Sequence, residues 1–290
     1  MFEGSIVAIV TPFRNGKVDE KALGKLIEWH IKQGTGAIVP CGTTGESATL
    51  DYREHDRVIA FTVETVNRRI PVIAGTGANS TDETIEITKH AEKSGADAAL
   101  LVAPYYNKPT QEGLYQHYKT VAKNVGIPLV LYNVPGRTAV NILPATVARL
   151  AEIKNIVAIK EATGDMRQVS DVIRLCGNRI TVLSGDDFTT LPLIALGGKG
   201  VISVVANVMP KEVSKMCALL LKGQPDKALK IHYMLEPLNA AMFYETNPIP
   251  VKTALAMMGK IREEFRLPLC AMAPANRDRL KKVLRGMKLI

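Results

Sequence analysis

Residues 128–133 read Pro-Leu-Val-Leu-Tyr-Asn, and residues 156–160 read Ile-Val-Ala-Ile-Lys. Both runs are short, almost uninterrupted in apolarity and rich in branched side chains. A strand with one wet face alternates polar and apolar residues, and neither run does. Continuous apolarity over so few residues marks a strand buried on both faces, as in a parallel sheet. The same signature recurs on either side, at residues 5–10 (SIVAIV), 36–40 (GAIVP), 71–75 (PVIAG), 98–103 (AALLVA), 180–185 (ITVLSG) and 200–206 (GVISVVA).

Helix signals fill the intervals. Asp19, Ser80 and Asp165 each precede an amphipathic stretch, and Gly34, Gly95 and Gly177 stand at their ends. Successive runs begin roughly 20 to 35 residues apart, the length of one strand–helix unit. Eight such units predict an α/β fold, a closed (β/α)8 TIM barrel. An open doubly wound sheet calls for a glycine-rich nucleotide loop after the first strand, and TPFRNGK at residues 11–17 is not one. After residue 207 the strand pattern stops. Residues 210–222, 225–241, 249–260 and 274–287 read as helices. The expected organisation is a barrel over residues 1–224 and a small C-terminal α-helical segment over residues 225–290, too small to fold alone.

The chain has 290 residues, 47% of them hydrophobic and 22% charged, ample for one such domain. Its net charge of +9 admits nucleic-acid binding. The cations are scattered, however, except for Arg277, Arg279, Lys281, Lys282, Arg285 and Lys288 on the last helix. With one Trp and six Phe there is little for bases to stack on. A solvated helix face is the plainer reading, and a positive field also gathers small anions. The four cysteines have no metal or redox spacing, which fits free thiols in a reducing compartment. The first ten residues lack a basic signal region, and no run reaches the ~18–20 apolar residues of a membrane span. A soluble, cytoplasmic protein is expected.

In barrels of this kind the chemistry sits where the strands end. Lys160 ends the run at 156–160, so its stem emerges from a buried strand. Desolvation there favours a neutral, nucleophilic amine; a lysine paired with a buried carboxylate is the structural alternative. Glu161 should point the other way along the strand. Tyr132 ends the neighbouring run, where a phenol can move protons during amine attack on a carbonyl. Gly42-Thr-Thr-Gly45 is a tight turn whose N–H groups suit a carboxylate or phosphate. Arg137 lies in a Pro-Gly-Arg-Thr turn and suits a carboxylate. Gly197-Gly-Lys-Gly200 looks like a phosphate loop but precedes a strand, so it falls at the wrong end of the barrel. No His, Asp and Glu spacing suits a metal, which disfavours a metal-dependent aldolase, and no serine nucleophile elbow occurs.

Taken jointly, CGTTGE at 41–46, APYYNKP at 103–109, LYNVPGRT at 131–138 and IKEATGD at 159–165 resemble the dihydrodipicolinate synthase family, of the N-acetylneuraminate lyase group of class I aldolases. The resemblance runs from Ala8 to the C-terminal helices. It implies a lyase of lysine (diaminopimelate) biosynthesis that condenses pyruvate with L-aspartate-4-semialdehyde through an imine on Lys160, without a cofactor or metal. Tyr132 would carry protons, and Thr43 would link it to Tyr106 offered by a neighbouring subunit. Thr43 and Thr44 would hold the pyruvate carboxylate, Arg137 the carboxylate of the aldehyde, and Gly185 and Ile202 would present carbonyls near the imine. The resemblance further implies a homotetramer built from two tight dimers. It also implies an allosteric lysine site at Ser47, Ala48, Tyr52, His55, Asn79, Glu83 and Tyr105, where Tyr52 departs from the histidine frequent in lysine-sensitive members. A sialic-acid lyase or sugar-acid aldolase is the alternative; the Gly-Arg-Thr sequence at 136–138 favours the synthase. A phosphate-handling isomerase is disfavoured by Asp186 and Asp187 where it needs its phosphate grip. A non-catalytic amino-acid-binding barrel is the third reading. No nucleic acid or membrane partner is expected.

Overall fold

The computed structural model describes residues 2–290. The eight apolar runs form eight parallel strands: β1 (Gly4–Ala8), β2 (Ala37–Val39), β3 (Ile73–Gly75), β4 (Ala98–Val102), β5 (Leu129–Asn133), β6 (Ile156–Glu161), β7 (Thr181–Ser184) and β8 (Gly200–Ser203). Strands adjacent in sequence are adjacent in the sheet, and β8 returns to pair with β1, Ile6 opposite Ile202. Between β2 and β3 the ring is closed by a bridge from Ile38 to Val72, with the Ile38 N–H on the Pro71 carbonyl at 3.0 Å. This is the expected (β/α)8 barrel.

A helix of the outer ring follows each strand: α1 (Glu20–Lys32), α2 (Tyr52–Val66), α3 (Thr81–Lys93), α4 (Gln111–Asn124), α5 (Pro144–Leu150), α6 (Met166–Cys176), α7 (Thr190–Ala195) and α8 (Pro210–Leu221), with a further one-turn helix, Pro135–Thr138, between β5 and α5. The caps read from the sequence are present. Asp19 accepts from the Ala22 N–H at 3.0 Å, and Asp165 from those of Arg167 and Gln168 at 2.8 and 3.2 Å. Gly34 and Gly95 follow α1 and α3 at φ +84° and +88°, the left-handed backbone that glycine adopts without strain.

Strand residues alternate between two cores. Ile6, Val39, Ile73, Leu100, Val130, Tyr132, Leu183 and Ile202 fill the barrel's interior. Their neighbours face the helices. Leu129, Leu131, Ile159 and Val182 pack with Leu114, Tyr118, Val147 and Val169 on one side, and Val7 and Ile38 pack with Leu23, Ile27 and Ile59 on the other. Both faces are buried, which is why the runs carry no polar alternation.

The C-terminal helices are α9 (Pro225–Ala241), α10 (Ile249–Met257) and α11 (Pro274–Gly286). Leu235, Leu238, Leu255, Leu280 and Leu284 join the same cluster as Val7 and Ile38. At roughly 1.5–3 kcal/mol for each buried leucine, that contact is a large share of what holds the segment. Two cations of the basic helix serve the chain itself. Arg277 pairs with Glu263 at 2.8 Å, and the Arg279 guanidinium lies 3.9 Å from the Tyr244 ring centre. No helix among the described residues is long and apolar enough to cross a membrane.

Candidate active site

Pairing of β5 with β6 sets Tyr132 opposite Lys160, and pairing of β6 with β7 sets Lys160 opposite Leu183. Lys160 is 5% exposed, and its Nζ lies 4.1 Å from the centre of the Tyr132 ring. None of the ion pairs among the described residues includes it. The structural alternative, a lysine held by a buried carboxylate, therefore does not describe this residue.

The residues that follow this pair point the opposite way and are fastened together. The buried Glu161 carboxylate accepts from Asn133 Nδ2 at 3.1 Å, Gln168 Nε2 at 3.2 Å and the Thr163 N–H at 3.0 Å. Asn133 Oδ1 in turn accepts from the Ile142 N–H at 2.9 Å. Burial raises the Glu161 pKa, and these hydrogen bonds oppose the rise. The network fixes the ends of β5 and β6 from outside the barrel, and with them Tyr132 against Lys160.

Beyond β2 the chain turns sharply. Thr43–Gly45 form a single 3-10 turn between Cys41 and Glu46, both at φ +53°. Left-handed backbone at non-glycine residues costs on the order of 1–3 kcal/mol each and persists where the surroundings impose it. The turn presses on β3: a Cβ on Gly75 would lie 2.2 Å from the Cys41 carbonyl oxygen. Thr44 is buried and accepts from Asn247 Nδ2 at 3.0 Å. Arg137, on the one-turn helix Pro135–Thr138, donates through Nη2 to the Asn247 carbonyl at 3.1 Å. Asn247 thus joins the threonine turn to the arginine.

A cleft of about 680 Å³ opens at this end of the barrel, lined by Thr43, Tyr132 and Arg137 among others. It continues past Ser47 and Ala48 to Tyr52, His55, Glu83 and Tyr105. Most residues of the two sequence-derived sites therefore share one cavity. Thr44, Asn79, Tyr106, Lys160, Gly185 and Ile202 lie outside its lining. Ile202 is in the barrel core, and Gly185 packs so closely on β6 that a Cβ would lie 2.5 Å from that of Ala162. Tyr106 is 90% exposed, at φ +73°. The Tyr52 hydroxyl donates to Glu83 at 2.8 Å, and Asn79 accepts from Asn107 at 2.9 Å.

Asp186 follows β7 at the same mouth. Burial pushes its carboxyl up to about 6, against the opposing field of Lys160. Its folded pKa lies above the unfolded value, so the folded state holds the proton more tightly. Stability is then lost as pH rises from about 4 to about 6 and is constant above that window. Asp186→Asn, which mimics the protonated form, is expected to melt higher than the parent near pH 8. That gap should narrow toward about pH 4.5, as read by thermal melts across the range. Among the described residues no three His, Cys, Asp or Glu side chains are grouped to hold a metal ion.

The model of the dihydrodipicolinate synthetase family matches residues 1–287. The chain belongs to that family. A relative from Thermodesulfovibrio yellowstonii, 71% identical over the whole of both chains, is named 4-hydroxy-tetrahydrodipicolinate synthase. Such identity over the full length carries the named activity, that of a lyase of lysine biosynthesis, to this chain. The dihydrodipicolinate synthase of Acinetobacter baumannii, solved in complex with pyruvate, is 52% identical over all of both chains, with a TM-score of 0.98. The Cyanidioschyzon merolae enzyme of this family, solved with lysine bound, is 39% identical, with a TM-score of 0.97 over 100% of this chain and 99% of that one.

Three groups near the family's catalytic end escaped the sequence reading: Asn247, Lys252 and Arg266. They come from the C-terminal segment, more than two hundred residues from the turn they touch. A signal for Lys252 was present. It is a lone cation in the apolar stretch Ile-Pro-Val-Lys-Thr-Ala-Leu at 249–255, the pattern that singled out Lys160.

Proposed function

We propose that Lys160 is the nucleophile of this lyase and that its substrates are pyruvate and L-aspartate-4-semialdehyde. The observation that carries the reading is the buried Nζ of Lys160, in no ion pair, over the face of Tyr132, at the catalytic end of the barrel. The Lys160 amine adds to the ketone carbon of pyruvate, and water leaves to give the imine. A proton lost from the methyl carbon gives the enamine, which bonds to the aldehyde carbon of the second substrate. The amine of that substrate then attacks the imine carbon, closes the ring and releases Lys160, giving 4-hydroxy-tetrahydrodipicolinate. The imine nitrogen is the electron sink, so the scheme needs no metal or cofactor.

Tyr132 is the proton carrier, placed by strand register beside the amine. Thr43 and Thr44 seat the pyruvate carboxylate on their turn. Gly185, just after β7, and Ile202, on β8, contribute main-chain carbonyls near the imine. Tyr106 completes the relay from a second copy of the chain, in a homotetramer assembled as two dimers. Its exposure supports this, since a tyrosine so open has no partner within its own chain to hold it. The working compartment is the cytoplasm, and three of the four cysteines are buried free thiols.

L-Lysine is a candidate regulator at Ser47, Ala48, Tyr52, His55, Asn79, Glu83 and Tyr105, with Glu83 facing its ammonium. Tyr52 already donates to one oxygen of Glu83 at 2.8 Å, so the inhibitor's ammonium shares that carboxylate with the phenol.

Arg137 grips the carboxylate of the semialdehyde. Arg137→Met is expected to raise the KM for the semialdehyde roughly 10- to 100-fold, the loss of one charge-assisted pair. The KM for pyruvate should be unchanged. Steady-state kinetics with each substrate varied in turn checks this, and equal effects on both would place the arginine elsewhere.

A further inference from the structure

The turn that carries Thr43 and Thr44 is anchored from the far end of the sequence. Beneath it Glu46 and Lys252 form an ion pair in which both side chains are wholly buried. The other Glu46 oxygen accepts from the Arg266 N–H at 3.2 Å. The Lys252 ammonium faces the rings of Phe13 and Phe265, 4.2 and 5.2 Å from their centres. Arg266 grips Glu54 with two bonds of 2.5 and 2.6 Å and donates to the Thr49 carbonyl at 2.8 Å. Residues 46 to 54 are thus fastened at several points to residues 252 and 266.

Stability alone is a poor reason for such a pair. Desolvating two ions offsets most of their attraction, and apolar side chains of like volume fill such a space as well or better. What the pair adds is direction. Glu46 sits in left-handed backbone, and its N–H closes the turn on the Thr43 carbonyl at 3.1 Å. With its backbone spent on the turn and its carboxylate fixed by Lys252 and Arg266, the residue leaves the turn one setting. Lys252 is fully buried and paired, so it is not a second nucleophile.

We propose that Glu46 and Lys252 are positioning residues for the pyruvate carboxylate, holding the Thr43–Thr44 turn in its binding geometry from below. This rests on the reading of that turn as the carboxylate seat.

The test compares full-length Glu46→Gln, Lys252→Met and the Glu46→Gln/Lys252→Met double variant, with Thr44→Val as reference. Melting temperature and the KM of each substrate are measured. Each single variant leaves one buried polar partner uncompensated and should melt lower than the parent. The double variant should recover much of that loss. The KM for pyruvate should rise about tenfold or more in all three, the equivalent of about one charge-assisted hydrogen bond, and should not recover in the double variant. The KM for the semialdehyde should stay at the parent value. A double variant that regains both stability and pyruvate KM overturns the proposal, because the pair would then be structural only. So does a pyruvate KM at the parent value in the double variant while Thr44→Val raises it. A parent-like pyruvate KM in Thr44→Val removes the seat reading itself, and the proposal with it.

Discussion

Lys160→Met is expected to lose at least ~10³-fold in kcat, since removing a covalent nucleophile costs up to about 10⁶ where it has been measured. It should also fail to gain mass when treated with borohydride and pyruvate, whereas the parent should gain one reduced pyruvate per chain. Methionine keeps the apolar stem and drops the amine. The polar group it removes is buried and in no ion pair, so the variant should melt no lower than the parent. Lost activity with a retained melting temperature separates a chemical role from a packing one. A trapped adduct in the variant would assign the imine to another lysine, and the mechanism proposed here would fall.

Tyr132→Phe should lower kcat by about 10²- to 10⁴-fold, the usual worth of a positioned proton carrier. The ring stays, so the packing against Val130, Leu183 and Ile202 stays with it, and the melting temperature should move little. Unlike the lysine variant, it should still yield the trapped adduct on long incubation, because the amine remains and only proton movement is slowed. Rapid-quench trapping over time distinguishes the two. An adduct forming at the parental rate would place Tyr132 after imine formation.

The strands were legible because double burial leaves its mark on every residue of a run. Their ends were less so, for a physical reason. The run at 200–206 continues past the last ladder residue, Ser203, into a 3-10 turn at Val205–Asn207. There the N–H groups of Val204 and Val205 donate to the buried Asp187 carboxylate at 2.9 and 3.0 Å. Likewise the Val10 N–H leaves the ladder for Asn207 Oδ1 at 3.1 Å. Apolarity reports burial, and a side chain can satisfy a buried backbone group as well as a strand does. The Pro-Gly-Arg-Thr stretch, read as a turn, is one turn of helix.

At the candidate site, residues at strand ends followed from the barrel once its strands were found. Lys160, Tyr132 and the threonine turn are of this kind. The residues that hold them follow from nothing local. Glu161 could be seen to point outward, but its bond to Asn133 depends on the register of β5 on β6. Asn247, Lys252 and Arg266 depend on where the C-terminal helices dock, which only the packed structure shows.

That docking bears on how the molecule is made. A ribosome delivers residues 42–54 long before residues 252 and 266, and Lys252 comes 206 positions after Glu46. At roughly 5–20 residues per second the delay is about 10–40 s. In the later part of that interval, once residue 160 has been added, the nascent chain holds Tyr132 and Lys160 and, once β8 has emerged, every strand of the ring. It lacks the groups that fix the threonine turn. On the proposed mechanism, an unfinished chain therefore carries the amine of Lys160 with no settled place for the keto acid beside it. The C-terminal helices, added after the barrel, would then complete the proposed binding site as well as the fold.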